Sequence, residues 1–542
     1  MMVQCLCAAH HKSAAPLRVW SLCLMRGVSY RWLAGPWVRL ALLGGIIADP
    51  RLLLCPVMHY IVRLFPEITI KSTPVRKRFT RQVRDNLAKQ LRRLDDSIEV
   101  RRDWEKIDIW LADGSQHLRE QVETVLGTTP GVAKFSRVRS YPLVDFDEML
   151  ARLLPLWQGR LAGKTFCVRV RRTGDHDFSS MAVERFLGAG LMALGEAAGV
   201  RLKNPDLVVA VEIRDAEYHL VEQTLPGLGG FPLGSQGGAL SLISGGFDST
   251  VASYLTIKRG LLTHFCFFNL GGRAHELGVK EAAYYLWQKY GSSHRVKFVT
   301  VPFDGVVAEI LTRVSDAYMG VVLKRMMYRA ASRVAEGLEL DALVTGESVA
   351  QVASQTLVNL RVIDEVTDLL TLRPLSVMDK GDIIDISRAI GTEAIAAAMP
   401  EYCGVISVRP TTRAKRDRVV AAEERFDMAV LDRAVAARVE ENIDCLEMDS
   451  AASTGVETYT LPLPDAVILD IRHPDEVQHR VLRAGSAAVV AIPFFELAKA
   501  AAGLDPQRTY LLYCERGVMS RLHAELLRDQ GYTNIGVYRP GS

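Results

Sequence analysis

Cysteine is scarce in this chain, nine in 542 residues, which excludes a disulfide scaffold and fits a reducing cytoplasm. Four of the nine (Cys5, Cys7, Cys23, Cys55) lie in the first 57 residues. The others (Cys167, Cys266, Cys403, Cys445, Cys514) are scattered, with no CxxC or Cys/His pair at zinc-ligand spacing, so no metal site is expected. Long apolar runs are missing too. The most apolar stretch of the first 57 residues, Trp32 to Ile47, is broken by Pro36 and Arg39 and falls short of the roughly 18–20 residues of a membrane span. There is no internal repeat and no low-complexity tract. With 49% hydrophobic and 24% charged residues the composition excludes disorder, collagen and coiled coil, and the length implies several domains. A net charge of +4 is small for so long a chain, so regional charge is the informative quantity.

Residues 1–57 stand apart. They carry Lys12, Arg18, Arg26, Arg31, Arg39 and Arg51 against the single acid Asp49, and hold three of the seven tryptophans. Such a leader reads either as a transit or interfacial segment or as an upstream start added to a chain that begins at Met58, and it is left out of the fold. From His59 the pattern runs strand (HYIVRLF), basic helix (Val75 to Leu94), two strands (Ser97 to Arg102, Lys106 to Leu111), helix (Ser115 to Leu126) and strand (Gly131 to Arg139). The order βαββαβ predicts a ferredoxin-like domain over 58–140. Between Arg63 and Arg102 there are 12 Lys/Arg against 5 Asp/Glu, with Arg76, Lys77, Arg78, Arg81 and Arg84 on about two helical turns. That excess is an anion or nucleic-acid footprint, because each phosphate neutralised releases condensed counterions.

Residues 141–226 predict a second α/β module with a strand KTFCVRVRR, a helix from Ser179 to about Gly199 and a hairpin DLVVAVEIRDAEYHLV. Its basic edge includes Lys164, Arg169 and Arg171. The Gly-rich segment 227–238 marks a boundary. Over 238–446, apolar strands (ALSLI, LTHFCFFN, VKFVTVPF, DALVTG) alternate with helices, which predicts a doubly wound parallel sheet ending in two polar helices, Thr411 to Glu424 and Ala429 to Glu447. A small-residue linker over 447–457 leads to a second, smaller α/β domain at 458–542.

Two loops carry chemistry. The strand ALSLI runs into Ser244-Gly245-Gly246-Phe247-Asp248-Ser249 and then a helix, an arrangement that aims several free backbone N–H groups at one point and suits pyrophosphate. No Lys follows the glycines, so it is not a Walker A loop. Asp248 reads as a phosphate-site ligand or simply as a helix cap. The other loop, Cys514-Glu515-Arg516-Gly517-Val518-Met519-Ser520, joins the strand TYLLYC to a helix, where a nearby Arg and a helix N-terminus favour thiolate. A phosphatase loop would place Arg six residues after the Cys, and that position is Ser520.

The SGGFDS string resembles the PP-loop ATP pyrophosphatase signature, and the Cys514 loop, with LDIR (Leu469 to Arg472) about 42 residues earlier, resembles a rhodanese active-site loop. Together with LFPEITIKS, GKTFCVRV, CFFNLGG and MPEYCGVIS, the chain from 58 to 542 resembles the bacterial tRNA 4-thiouridine synthases (tRNA uridine sulfurtransferases) of the long form. That resemblance implies an α/β and α+β multidomain protein: ferredoxin-like, THUMP, PP-loop and rhodanese domains. It implies ATP, with Mg²⁺, cradled by Leu242, Ile243, Ser244, Gly245, Gly246, Ser249, Lys324, Gly346 and Gln355, with Asp248 and Lys380 catalytic. Cys514 would carry the persulfide and Cys403 would resolve it as a disulfide. tRNA would lie on Arg76, Lys77, Arg78, Arg81, Lys164, Arg169 and Arg171. Uridine 8 would be adenylated at its C4 oxygen and then thiolated, by persulfide directly or by released sulfide. The implied partners are tRNA, a cysteine desulfurase and the sulfur-carrier protein of thiamine thiazole synthesis, in the cytoplasm and without membrane, with a homodimer left open. A carrier serving thiazole synthesis alone, an amidating PP-loop ligase and a non-catalytic RNA-binding module are the alternatives. The ligase gives Cys514 no task, and the last predicts substitutions at Asp248 or Cys514 that are not seen.

Overall fold

The computed structural model describes residues 58–103, 106–112, 114–270, 272–399, 409–445, 456–514 and 518–540. The leader 1–57, most of the linker and Cys403 lie outside them.

The first half is built on strands β1 (Met58–Leu64), β2 (Glu99–Arg102), β3 (Lys106–Leu111) and β4 (Val132–Pro142), with helices α1 (Thr73–Leu91) and α2 (Gln116–Thr128) between them. Helix α1 is amphipathic at a spacing of four: Phe79, Val83, Leu87 and Leu91 enter the core, and Lys77, Arg78 and Arg81 stay exposed on the far side. Helix α3 (Phe146–Leu161), strand β5 (Thr165–Thr173), helix α4 (Ser180–Leu194), and strands β6 (Gly199–Val200), β7 (Leu207–Arg214) and β8 (Glu217–Pro226) follow.

The sequence suggests two separate modules, and the structure fuses them. All eight strands form one sheet in the order β2-β3-β1-β4-β8-β7-β5-β6. Strand β4 runs past the predicted Arg139 to Pro142 and pairs with β1 on one side and with β8 on the other, from Lys134 opposite Pro226 to Pro142 opposite Glu217. Pairing both edges of β4 leaves neither module with an open edge there. Ion pairs cross the seam on the open face: Arg63 of β1 meets Glu212 of β7 at 2.6 Å, and Arg214 reaches Asp103 at 3.5 Å. Strands β1 and β7 are separated by two others in the sheet, so the Arg63–Glu212 contact requires the sheet to curl.

The central domain is the expected doubly wound sheet, with β9 (Gly238–Leu242), β10 (Leu262–Asn269), β11 (Lys297–Pro302), β12 (Ala342–Val344) and β13 (Leu370–Leu372) parallel. One addition was unforeseen: β14 (Val439–Asn442) pairs antiparallel with β11, giving the order β13-β12-β9-β10-β11-β14. The second predicted polar helix therefore ends at Ala436, and VEEN extends the sheet. The chain moves outward from β9 to β11 on one side and returns to place β12 and β13 on the other, so the topological switch lies at the carboxyl ends of β9 and β12. The last domain has an all-parallel sheet, β15-β19-β18-β16-β17, comprising β15 (Thr458–Tyr459), β16 (Val467–Asp470), β17 (Ala488–Ala491), β18 (Tyr510–Tyr513) and β19 (Ile535–Tyr538). Among the described residues no helix is long and apolar enough to cross a membrane.

The seam gives a prediction. Burial pushes the Glu212 carboxyl up, but Arg63 and Arg214 more than offset this and hold it below its ordinary value of 4.5. Its contribution is therefore present above pH 4.5 and lost as the pH falls through the depressed native value. Glu212→Gln should lower unfolding stability by about 2 kcal/mol at pH 7 and reduce the loss on acidification. Denaturant titrations at neutral and acid pH measure both, and equal stability of the two proteins at pH 7 contradicts the clamp.

Candidate active site

Helix α5 (Phe247–Lys258) follows the SGGFDS turn, and Gly246 is its N-cap with no side-chain cap bond. The first-turn amides are thus left to an anion at the switch point. The loop is held by its own hydroxyls: Ser249 Oγ accepts from Ser244 N at 3.1 Å, and Ser244 Oγ lies 3.1 Å from Ser249 Oγ. Gly245 has φ +80°, a conformation that favours glycine, and a Cβ there would meet Met399 and Val279. From β12, Gly346 approaches so closely that a Cβ would stand 2.6 Å from the backbone of Asp248 and Ser249.

Asp248 is not a cap. Its Oδ1 accepts from Lys380 Nζ at 2.7 Å and its Oδ2 from Gln351 Nε2 at 2.8 Å, bringing together residues from α5, the loop after β12 and the start of the helix Lys380–Ile390. Leu242 reaches the edge half-buried, whereas the Ile243 side chain turns into the core, leaving its backbone at the loop. Gln355 is buried, and its Oε1 accepts no hydrogen bond among the described residues, which suits a ligand that donates one. Lys324, on the long helix Asp316–Gly337, stands 3.5 Å from Glu347. The seven nucleotide-loop and strand-end residues, Lys324, Lys380 and Gln355 thus converge on the same sheet edge. A cradle of amides, an uncapped helix start and an orphaned buried carbonyl oxygen fit a nucleoside triphosphate.

Sequence reading missed Glu347, Gln351, Tyr328 and Arg373. Glu347 and Arg373 each lie just past the carboxyl end of a parallel strand, the position where ligand-directed charges collect, and that was the available signal.

Cys514 follows β18, nine-tenths buried, and its Sγ is 3.4 Å from both the backbone N and the Oγ of Ser520 in the first turn of the helix Val518–Asp529. A sulfur in that place faces the positive end of a helix. Arg516 lies outside the described residues. The LDIR strand end is a buried pair, with Arg472 Nη2 2.6 Å from Asp470 Oδ2. Cys514 opens on a small cavity of about 50 Å³ lined by Arg472, His473 and Met519 on its own domain and by Glu281, Tyr284 and Tyr285 of the helix Gly272–Leu286. That helix belongs to the central domain. Ion pairs hold the contact: Glu281 with His523, and Arg273 with Asp529 and, at 3.2 Å, with Glu525. Burial raises the Glu281 carboxyl even though His523 opposes the shift. Tyr285 packs on His473 at 4.9 Å between ring centroids.

Of the basic residues, Lys77, Arg78 and Arg81 are exposed on α1, and Arg76 is half-buried with its guanidinium 3.5 Å from the Thr69 carbonyl. Lys164, Arg169 and Arg171 are exposed at and along β5.

Comparison with known proteins follows this division. Residues 59–136 match the ThiI ferredoxin-like domain, 144–220 the THUMP domain, 234–428 the family described as Thiamine biosynthesis protein (ThiI), and 460–542 the Rhodanese-like domain. The tRNA sulfurtransferase of Saccharophagus degradans is 50% identical over 483 residues, covering 89% of this chain and all of that protein. The tRNA sulfurtransferase of Shewanella loihica is 51% identical over 484 residues, with the same coverage. Among solved structures, a 4-thiouridine synthetase–RNA complex with bound ATP superimposes with a TM-score of 0.63 at 28% identity, covering 71% of this chain and 99% of that one. With four matching domains in order and half of all residues shared over the full length of these relatives, the chain belongs to the tRNA sulfurtransferase family.

Proposed function

We propose that the enzyme thiolates uridine 8 of tRNA at C4, using ATP at the SGGFDS edge and sulfur carried by Cys514. One observation carries this reading: a single helix, Gly272–Leu286, touches both loops. A Cβ on Gly245 would lie 3.2 Å from Val279 Cγ2, and two to six residues further on Glu281, Tyr284 and Tyr285 line the Cys514 cavity. Six residues of helix span about 9 Å.

In the proposed cycle the uracil O4 attacks the α-phosphate of ATP. The bond to pyrophosphate breaks, and the N3 proton is lost. The loop amides, Lys324 and Lys380 neutralise charge on the phosphates, and Asp248 would hold Mg²⁺, which would supply further positive charge there. A cysteine desulfurase supplies sulfane sulfur to Cys514. The terminal sulfur of the persulfide attacks C4, AMP leaves, and C4 is joined to Cys514 through a disulfide. Cys403 thiolate then attacks the Cys514 sulfur, releasing 4-thiouridine and leaving a Cys403–Cys514 disulfide that a cellular two-electron reductant resets. Exposed Lys77, Arg78 and Arg81 and the basic residues along β5 hold tRNA by its backbone and shape. Sulfur donation to the carrier protein of thiazole synthesis draws on Cys514 alone and is supported by the description of the matching family.

Incubation with unmodified tRNA, ATP·Mg²⁺, cysteine and a cysteine desulfurase should give 4-thiouridine, read by near-ultraviolet absorbance of the tRNA. Cys514→Ala and Asp248→Asn should each give less than about 1% of that product. No product from folded wild-type protein sinks the tRNA reading and favours the carrier role. Docking is tested separately. His523→Ala leaves the buried Glu281 without its partner at about 3 kcal/mol. Iodoacetamide should then alkylate Cys514 at least about tenfold faster as the domain undocks. An unchanged rate means that the contact does not shield the thiol.

A further inference from the structure

Glu347 lies one residue past Gly346, and so one peptide unit from the close approach to Asp248 and Ser249. Its side chain is 2% exposed. The two carboxylate oxygens are used unequally. Oε2 accepts three hydrogen bonds, from Tyr328 OH at 2.8 Å, Arg373 Nε at 2.9 Å and Thr345 Oγ1 at 3.0 Å. Oε1 is equally buried and accepts none among the described residues, while Lys324 Nζ stands 3.5 Å from it. Three donors on one oxygen fix the plane of the carboxylate and leave the other oxygen turned toward the lysine.

Charge alternates along the cluster. Asp364 accepts from Arg373 Nη1 at 3.0 Å, Arg373 Nε also donates to Glu347, and Glu347 faces Lys324. Removing the central charge would leave two cations sharing a mostly buried space. Burial pushes the Glu347 carboxyl up, yet Lys324 and Arg373 hold it below its ordinary value, so it is an anion at neutral pH. A carboxylate without water around it is stabilised only by such partners, and it stabilises their charges in return.

We propose that Glu347 is a positioning residue for Lys324: its Oε1 holds the ammonium at the nucleotide edge by charge rather than by a hydrogen bond to that oxygen. Arg373, between two carboxylates, stays behind, so Glu347 keeps one cationic partner when Lys324 turns away. The inference rests on the reading above in which Lys324 neutralises phosphate.

The test is a double-mutant cycle of Glu347→Gln and Lys324→Met, read by ATP binding in calorimetry and by kcat/KM for ATP in thiolation. Each single variant should lose about tenfold to hundredfold, and the double variant should be no worse than Lys324→Met. Glu347→Asp, which keeps the charge, should recover part of the loss. An independent readout needs no nucleotide: acylation of Lys324 at pH 8, followed by peptide mass spectrometry, should be several-fold faster in Glu347→Gln, because the ammonium has lost its counter-charge and deprotonates more readily. Losses that multiply in the double variant, or unchanged Lys324 reactivity, overturn the positioning role and leave the phosphate reading intact. Full ATP affinity and turnover in Lys324→Met overturn that reading and the proposal with it.

Discussion

The packing of the helix Gly272–Leu286 is the constraint on which the rest of the site depends. Its Val279 lies under Gly245, its Gly278 leaves room for Met399, and its next turn carries Glu281 and Tyr285 into the wall of the Cys514 cavity. Any tilt of this helix would move both loops at once. Two glycines record how tight the arrangement is. Gly245 leaves no room for a methyl group against Met399, and Gly346 leaves none against the start of α5. The phosphate loop is therefore gripped from both sides, by the helix below and by the neighbouring strand end.

Local chemistry was legible in the sequence because it is written in contiguous residues. The Ser244–Ser249 string gave the turn, the strand before it and the helix after it, and the Cys514–Ser520 string gave the sulfur at a helix start. The eight strands of the first half were nearly all visible from alternation. What was not legible depends on pairing between distant segments. The β4–β8 register joins residues 75 to 92 apart, and nothing in SYP or VEEN announces a strand, because neither has an apolar alternation to read. The Glu347 cluster draws on Tyr328, Thr345 and Arg373, each ordinary where it stands in the sequence. Glu281 and His523 stand 242 residues apart, on the helices Gly272–Leu286 and Val518–Asp529. Burial arises only when the two helices meet.

The two halves of the molecule use charge in opposite ways. On α1 and along β5 the exposed charge is mainly positive, available to a polyanion and sensitive to salt. At the switch point it alternates around the buried Glu347, so that Asp364, Arg373, Glu347 and Lys324 form a neutral chain. The curled sheet lies between these regimes: its Arg63–Glu212 pair is mostly withdrawn from water, and its role is to fasten strands rather than to meet a ligand.

The docked position of Cys514 also bears on the kinetic order of the reaction. On the proposed reading, donor sulfur and acceptor site belong to one polypeptide and share one helix, so the transfer is intramolecular and its rate constant is independent of enzyme concentration. The docked helix also walls off the cavity that loads the thiol, through Glu281, Tyr284 and Tyr285. On that reading loading and transfer exclude one another, because the helix that brings Cys514 toward the phosphate loop also covers it.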